Sequence, residues 1–407
     1  MTDAREERGL AIAAKCKLRK KGAIWLVPSQ SADRRFYSVT PDKQQPHCSC
    51  PDHQERGCKC KHIFAVEIVI QRELFDDGSI TETRKLTVTE AVTRPSYPQN
   101  WPAYNAAQTN EKDKFQILLR DLCQRLPQSP AAHTGRKPFP IQDAIFAACF
   151  KVYSTISARR FACDLRDAHA KGFIGRVPSV PMVFKIFESP HIFGILQSLV
   201  VQAATPLRAL EANFACDSSG FASSRFDRWY DHKFGDHRIK RAWVKAHIMT
   251  GCKTNVVTAI EIHDQHAGDS PQLKPLLETT VKNFKPQDVC ADMAYLSHSN
   301  IYAIARAGAS PMIPFKSNSS PNGSRLWEHL YHYHQLHRQG FLDRYHQRSN
   351  VESTFSMVKA KFGDSVRSKT DVAMKNEVMA KFLCHNICCV IQSIYEYGID
   401  PSFWTAA

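Results

Sequence analysis

Between Tyr345 and Lys361 the sequence YHQRSNVESTFSMVKAK carries two periodic stripes side by side. Val351, Phe355, Val358 and Phe362 recur at helical spacing, and Tyr345, Arg348, Glu352 and Lys359 stand at offsets 0, 3, 7 and 14. At about 100° per residue each set covers about 60° of arc. The pattern predicts one helix with an apolar face against a core and a polar stripe at its margin. Upstream, NFACDSSGF reads as an apolar run ending in Asp217, and WVKAHIMTGCKTNVVTAIEIHD as two strands around a Gly-containing turn. Asp269-Ser270-Pro271 is a helix start, with Ser270 as N-cap and Pro271 in the first turn. Leu273, Leu276, Leu277, Val281 and Phe284 form the apolar face of that helix. DVCADMAY is a short buried strand ending in Asp292, Ile301–Ala307 is helical with Gly308 as its stop, and SPMIPF is a further strand. The polar, His-rich stretch from Lys316 to Gln339 has no assignable pattern, and a last apolar helix runs from Val372 to Tyr397. Three hairpin-linked strands followed by helical crossovers predict a mixed sheet with helices on its faces.

The first part of the chain is patterned differently. Ala23–Val27 and Arg35–Val39 are short β-type runs forming a plausible hairpin, and a second periodic apolar run starts at Ile63. Residues 76–138 read as a Pro-rich and polar connector holding one amphipathic helix, with Phe115, Leu118, Leu119, Leu122 and Leu126 at helical spacing. From Ile141 to about Leu210 the pattern is helical throughout. One helix begins after Ser157, with Phe161 and Leu165 inward and Arg159, Arg160 and Arg166 outward. Short helices with outward arginines suit either a helix-turn-helix-like DNA reader or a plain helical bundle. The predicted organisation is 1–75, 76–138, 139–210 and 211–398.

Composition narrows the partners. A formal charge of +15 over 407 residues favours a polyanion, nucleic acid before membrane. No run of 18 apolar residues proposes a transmembrane helix, and the first residues lack the pattern of a signal peptide, so a cytoplasmic protein is expected. Its 14 cysteines are then expected to be reduced, and a cluster of them to be a metal site. Cys48-x-Cys50 and Cys60-x-His62 are two close ligand pairs separated by nine residues, a set that suits tetrahedral Zn²⁺. Cys58 could replace Cys60, and His47 or His53 could intrude. A module this small needs such a metal to stay folded.

Asp217, Asp292 and Glu352 are the candidate catalytic groups. Carboxylates at the margin of a sheet are costly unless paired or metal-bound. Three together suit Mg²⁺ or Mn²⁺, and a pair of such ions supports phosphodiester chemistry. Basic neighbours would neutralise nucleic-acid phosphates. Trp327 is a weaker candidate for base stacking, the alternative being a core position.

These residues carry a resemblance. Asp217, Asp292 and Glu352 resemble the DDE triad of RNase H-like transposases of bacterial insertion sequences, and Tyr345-x2-Arg348-x3-Glu352-x6-Lys359 matches the signature of one large group of them. The resemblance covers about Ile141–Tyr397. It implies an α/β fold: an RNase H-like mixed five-stranded sheet flanked by helices, preceded by a helical domain and a small zinc-binding ββα-type module. It implies cutting of double-stranded DNA at transposon ends and joining to target DNA, with Asp217, Asp292 and Glu352 holding Mg²⁺ or Mn²⁺. Arg348 and Lys359 would contact DNA, and Tyr345 would help position it. A homodimer or higher assembly on DNA, associated with the bacterial nucleoid, follows from the same resemblance. The 60-residue interval from Asp292 to Glu352 leaves no room for a large insertion domain. Cys48, Cys50, Cys60 and His62 resemble a SWIM-type zinc finger over Ala23–Glu73, a module of DNA-binding and protein-binding proteins. Two alternatives stay open at this point: an RNase H-like nuclease or resolvase that only hydrolyses, and a silent transposase-derived DNA-binding regulator.

Overall fold

The structure, a computed structural model, describes residues 4–30, 36–42, 45–74, 99–127, 139–223 and 243–404. Part of the predicted hairpin loop and much of the predicted connector lie outside these residues. The chain divides into two units, 1–98 and 99–407, each with a core of its own.

In the first unit, helix α1 (Ala4–Lys15) precedes β1 (Arg19–Lys21), β2 (Ile24–Pro28), β3 (Phe36–Thr40) and β4 (His47–Cys48). The expected hairpin is the β2–β3 pair, Trp25 opposite Val39, and it is extended to a four-stranded antiparallel sheet by β1 and β4. Alternation along β2 and β3 turns Trp25, Val27, Tyr37 and Val39 inward. Ile63, Ala65 and Val66 of α3 (Lys61–Leu74) pack in the same small core, as does Ile12 of α1. The short α2 (Pro51–Arg56) has Pro in its first turn and Gly57 at φ +64° as its stop, the conformation glycine adopts without strain.

The second unit has a sheet ordered β7-β6-β5-β8-β9. Its strands are β5 (Asn213–Ala222), β6 (Trp243–Gly251), β7 (Val257–Asp264), β8 (Asp288–Ala291) and β9 (Ser310–Met312). β6 is antiparallel to β5 and β7, whereas β5, β8 and β9 are parallel. This is the mixed five-stranded sheet that the pattern predicts. The helices before it are α4 (Trp101–Thr109), α5 (Glu111–Gln124), α6 (Ile141–Ser154), α7 (Ala158–Ala170), α8 (Val180–Phe187) and α9 (Ile192–Ala204). The described part of the predicted connector thus holds two helices where one is expected, because Trp101-Pro102 starts α4 under an Asn100 cap instead of ending a loop. Ser157 caps α7, Phe161 and Leu165 are buried, and Arg159, Arg160 and Arg166 are exposed. These helices share one continuous core with the sheet.

The organising helix of that core is α15 (Asp371–Tyr397), which touches α4, α5, α6, α8, α9 and strands β6 and β7. It is long and apolar enough to cross a membrane, yet 78% of its most apolar window is buried within the protein. Polar side chains on it tie loops and strands to the core. Asn386 accepts from the Val257 N–H at 2.8 Å and donates to the carbonyls of Val200 and Val257 at 2.9 and 2.7 Å. Asn376 donates to the carbonyls of Phe187 and Ser189 at 2.8 and 3.0 Å. Removing either partner of such a buried bond leaves the other desolvated and unpaired, which is costly.

The remaining helices are α10 (Leu273–Thr280), α11 (His298–Arg306), α12 (Arg325–Leu336), α13 (Arg338–Tyr345) and α14 (Ser349–Phe362). Three details differ from the pattern. The start at Asp269 is a 3₁₀ turn over Ser270–Gln272 with Asp269, not Ser270, at its N-cap, and Asp269 makes no side-chain cap bond because its carboxylate is engaged by Lys245 and Ser218. The His-rich stretch contains α12, whose Ser324 caps the N–H of Trp327. Trp327 is a core residue, stacked on His298 at 3.9 Å and beside Phe315.

Candidate active site

The predicted single helix from Tyr345 is two helices joined by a 3₁₀ turn over His346–Arg348. Helix α13 lies against β8 and β9, and α14 lies over β5 and β6. One straight helix cannot cover both pairs, so the axis breaks where it passes between them. Val351, Phe355, Val358 and Phe362 are all buried, as their stripe predicts, and each such burial stabilises by about 1.5–3 kcal/mol. Thr354 is buried too, bonding to the Thr250 hydroxyl of β6 at 3.3 Å.

The two aspartates are adjacent by strand register. Cys216 of β5 is paired with Ala291, the last residue of β8, so Asp217 and Asp292 are the next positions along parallel neighbours. Asp217 does not end its strand: β5 runs on to Ala222, and β8 stops beside it. The gap left past the carboxyl end of β8 is the crevice where open α/β sheets bind ligands. Asp292 turns out of the strand and caps a 3₁₀ turn, accepting from the Ala294 N–H at 2.8 Å.

Arg348 joins two of the three carboxylates. Its guanidinium donates to Asp217 at 3.3 Å and, through the other nitrogen, to Glu352 one turn later. Asp217 and Arg348 are each 21% exposed, Glu352 56%. Burial pushes the Asp217 carboxyl above its ordinary range, against the Ser218 N–H and Arg348, which hold it down, while Asp292 and Glu352 push it further up. Those two influences place all three carboxylates in one electrostatic neighbourhood. They are an open set, since among the described residues the only group of three or more His, Cys, Asp or Glu ligand atoms lying within 4.8 Å of one another is in the first unit.

Lys359, two turns after Glu352, donates to the Ser219 hydroxyl at 2.6 Å and lies 5.2 Å from the Phe221 ring centre. Burial lowers its pKa. Ser219 is on the same face of β5 as Asp217, so Lys359 extends the polar stripe along that strand. Tyr345 is half-buried on the main core, its ring against Phe341, and desolvation raises its phenol against the nearby Arg348. The structure thus brings Asp217, Asp292, Arg348 and Glu352 together, with Tyr345 beside Arg348 and Lys359 farther along β5.

Sequence reasoning missed several supports. Arg344 donates to Asp288 at the start of β8 and so pins α13 to the sheet. On the opposite face of β5, Ser218 donates to Asp269 at 2.8 Å, and Lys245 pairs with Asp269 at 2.6 Å. An aspartate before Ser-Pro reads locally as a cap, so no sequence signal marked this pairing across the sheet.

In the first unit, Cys48, Cys50, Cys60 and His62 have their ligand atoms within 4.8 Å of one another, and all four side chains are buried. His62 Nδ1 is 3.9 Å from Cys48 Sγ and 3.8 Å from Cys60 Sγ. Tetrahedral zinc with bonds of about 2.3 Å to sulfur and 2.0 Å to nitrogen needs ligand separations of roughly 3.5–3.8 Å, so this donor set fits. Cys60, not Cys58, is the third thiol. The Cys58 carbonyl instead meets His53 Nδ1 at 2.8 Å, and His47 lies edge-on to His53. The proximity of the two thiols pushes Cys48 up and holds Cys60 down, so Cys60 is the readier thiolate.

Residues 209–387 match the family model described as the transposase DDE domain. No curated protein and no solved structure matches the chain. The matched segment begins just before β5 and ends within α15, taking in the whole five-stranded sheet, Asp217, Asp292 and the helix carrying Glu352. The sheet and the helices that frame its carboxylates belong to the transposase DDE domain family.

Proposed function

We propose that the protein cuts DNA at the ends of an insertion sequence and joins those ends to target DNA, with Asp217, Asp292 and Glu352 as the catalytic carboxylates. The observation that carries this reading is the register that sets Asp217 beside Asp292 at the mouth of the β5–β8 crevice, with Glu352 linked to Asp217 through one guanidinium. An all-oxygen donor set in which burial first, and then the charges of Asp292 and Glu352, raise the Asp217 carboxyl suits a hard divalent cation. Asp217, Asp292 and Glu352 would hold Mg²⁺ or Mn²⁺, which when bound supplies activation of an attacking hydroxyl and charge stabilisation at the leaving oxygen.

The chain's own cations complete the site. Arg348 neutralises Asp217 and Glu352, and its guanidinium is placed to take a DNA phosphate. Lys359, held over Phe221 and Ser219, binds a second phosphate farther along the strand. Tyr345 orients Arg348. The Cys48, Cys50, Cys60 and His62 set holds Zn²⁺ and stabilises a SWIM-type module that contacts DNA ends or a second copy of the chain. The assembly on DNA is a homodimer or larger.

Asp217→Asn tests the reading. Metal-dependent cleavage of end-bearing DNA should fall by at least about 10²-fold, with end binding retained. Cleavage at the wild-type rate would falsify the assignment. A strand-transfer assay separates transposition from hydrolysis, because a nuclease alone yields no joined product.

A further inference from the structure

A second basic feature lies at the far end of β5, away from the carboxylates. The segment linking α14 to α15 is tied there: the Val366 N–H donates to the Ala222 carbonyl at 2.9 Å, and Ser365 bridges Ala222. Beside this tie is a pocket with about 530 Å³ of empty space, part of it open to solvent. Lys151 of α6, Phe184 and Phe187 of α8, Arg367 of the link, and Glu377 and Lys381 of α15 line it.

Three cations face one carboxylate, and their hydrogen bonds show which is unmatched. Glu377 spends both oxygens on the backbone N–H groups of Arg367 and Ser368. Lys381 donates to the carbonyls of Gly363 and Ser365, both at 2.8 Å. Arg367 donates to the carbonyls of Thr155 and Ile156 at 2.7 and 3.2 Å. Lys151 is only 8% exposed, and its ammonium makes no hydrogen bond to the described residues, with the Phe161 ring centre 5.9 Å away. The ammonium opens onto the pocket in a setting whose burial disfavours its charge, and an anion entering the pocket would relieve that cost. Phe184, 50% exposed on the same wall, offers an apolar face next to the charge. Cations beside an exposed aromatic ring are the arrangement that binds a nucleotide strand without sequence preference.

We propose that this pocket is a phosphate site for the DNA strand running from the active centre, with Lys151 taking a phosphate oxygen and Phe184 packing against the adjoining base or sugar. Ala222 lies five residues beyond Asp217 on β5, about 16 Å at a strand's rise, which about five steps of a DNA strand would span. The proposal rests on DNA as the substrate. It adds a contact outside the carboxylate site and its signature helix.

The test is the salt dependence of binding to a short fluorescent DNA, duplex and single-stranded, by the full-length protein. For Lys151→Met, and for Lys151→Gln as a second variant, log Kd against log salt should lose about one phosphate contact in slope. Tm should stay at or above that of the wild type, since a desolvated charge has been removed. Phe184→Ala should weaken single-strand binding at unchanged slope. A wild-type slope in both folded Lys151 variants would overturn the proposal, as would a large fall in Tm for both, which would make the ammonium a support of the fold. A Tm rise with inorganic phosphate that needs Lys151, coupled to an unchanged DNA slope, would assign the pocket to free phosphate and overturn its DNA role. Failure of the transposase reading is distinct, because it appears as loss of wild-type DNA binding and cleavage.

Discussion

Asp217 keeps a carboxylate where burial disfavours its charge. The folded protein therefore holds a proton there at pH values where the unfolded chain has lost it. The sign follows: the contribution of this group to stability is present in acid and declines as pH rises through the raised pKa. Without divalent metal, Asp217→Asn should therefore leave Tm at neutral pH no lower than in the wild type, and this advantage should vanish below the ordinary aspartate pKa of 3.8. Thermal melts across pH check both halves. Arg348 is the counterpart. It lies between Asp217 and Glu352, so Arg348→Ala should tighten Mn²⁺ binding, measured by calorimetry, while lowering strand joining by about 10²-fold through loss of a phosphate contact. Unchanged metal affinity would mean that the guanidinium does not compete for the carboxylates.

The elements are held in place by polar side chains that helical periodicity does not reveal. Asn386 of α15 binds β7 at Val257 and α9 at Val200, so it fixes the edge of the sheet against the helical layer. Asn386→Leu strands one N–H and two carbonyls and should cost about 2–4 kcal/mol in denaturant unfolding with cleavage chemistry intact near room temperature. The break between α13 and α14 is an element-scale property of the same kind. Their residues share one stripe in a helical projection, but α13 packs on β8 and β9 and α14 on β5 and β6, and the chain turns at His346–Arg348 between them. That turn sets Arg348 over the end of β8. In the first unit the four ligands join β4, the start of α2 and the start of α3. Cys60→Ser, or chelation of the wild type, should abolish zinc stoichiometry and melt residues 4–74 while the circular dichroism of the larger unit persists. Loss of both units together would contradict separate cores.

At the scale of the whole molecule, one chain combines a small unit holding a buried Cys3His cluster with a DDE domain whose core extends through the helices before it. If the first unit reads DNA ends, removal of residues 1–75 should weaken binding to end-bearing DNA by tenfold or more. If it makes contacts between copies, the truncated protein should bind ends as before and sediment as a smaller complex. Gel shift and sedimentation separate the two. The net charge of +15 fits a DNA partner, and the arrangement of basic groups carries more information than their number. Arg348 and Lys359 lie along one face of β5, and Lys151 lies in a pocket beyond its end.

Much of this was legible in the sequence because it is local. Apolar stripes at helical spacing marked α14 and α15, short β-type runs marked β2 and β3, and the apolar runs marked β5 to β9. The ligand pairs Cys48-x-Cys50 and Cys60-x-His62 are close in sequence, and their grouping survived folding. The Tyr345-x2-Arg348-x3-Glu352-x6-Lys359 spacing named candidates for the same reason. What the sequence could not supply was set by partners far along the chain. The register of β5 against β8 decided that Asp217 is mid-strand beside a strand that stops. Packing on two different strand pairs broke the signature helix, so that Tyr345 left it. The Asp269–Lys245–Ser218 network and the unmatched Lys151 depend on which faces meet, and no periodicity encodes that. By itself the sequence determined the elements and the chemical groups available; tertiary structure alone decided which charges are buried together and which is left without a partner, because that cost arises only when desolvation and neighbours are fixed at once.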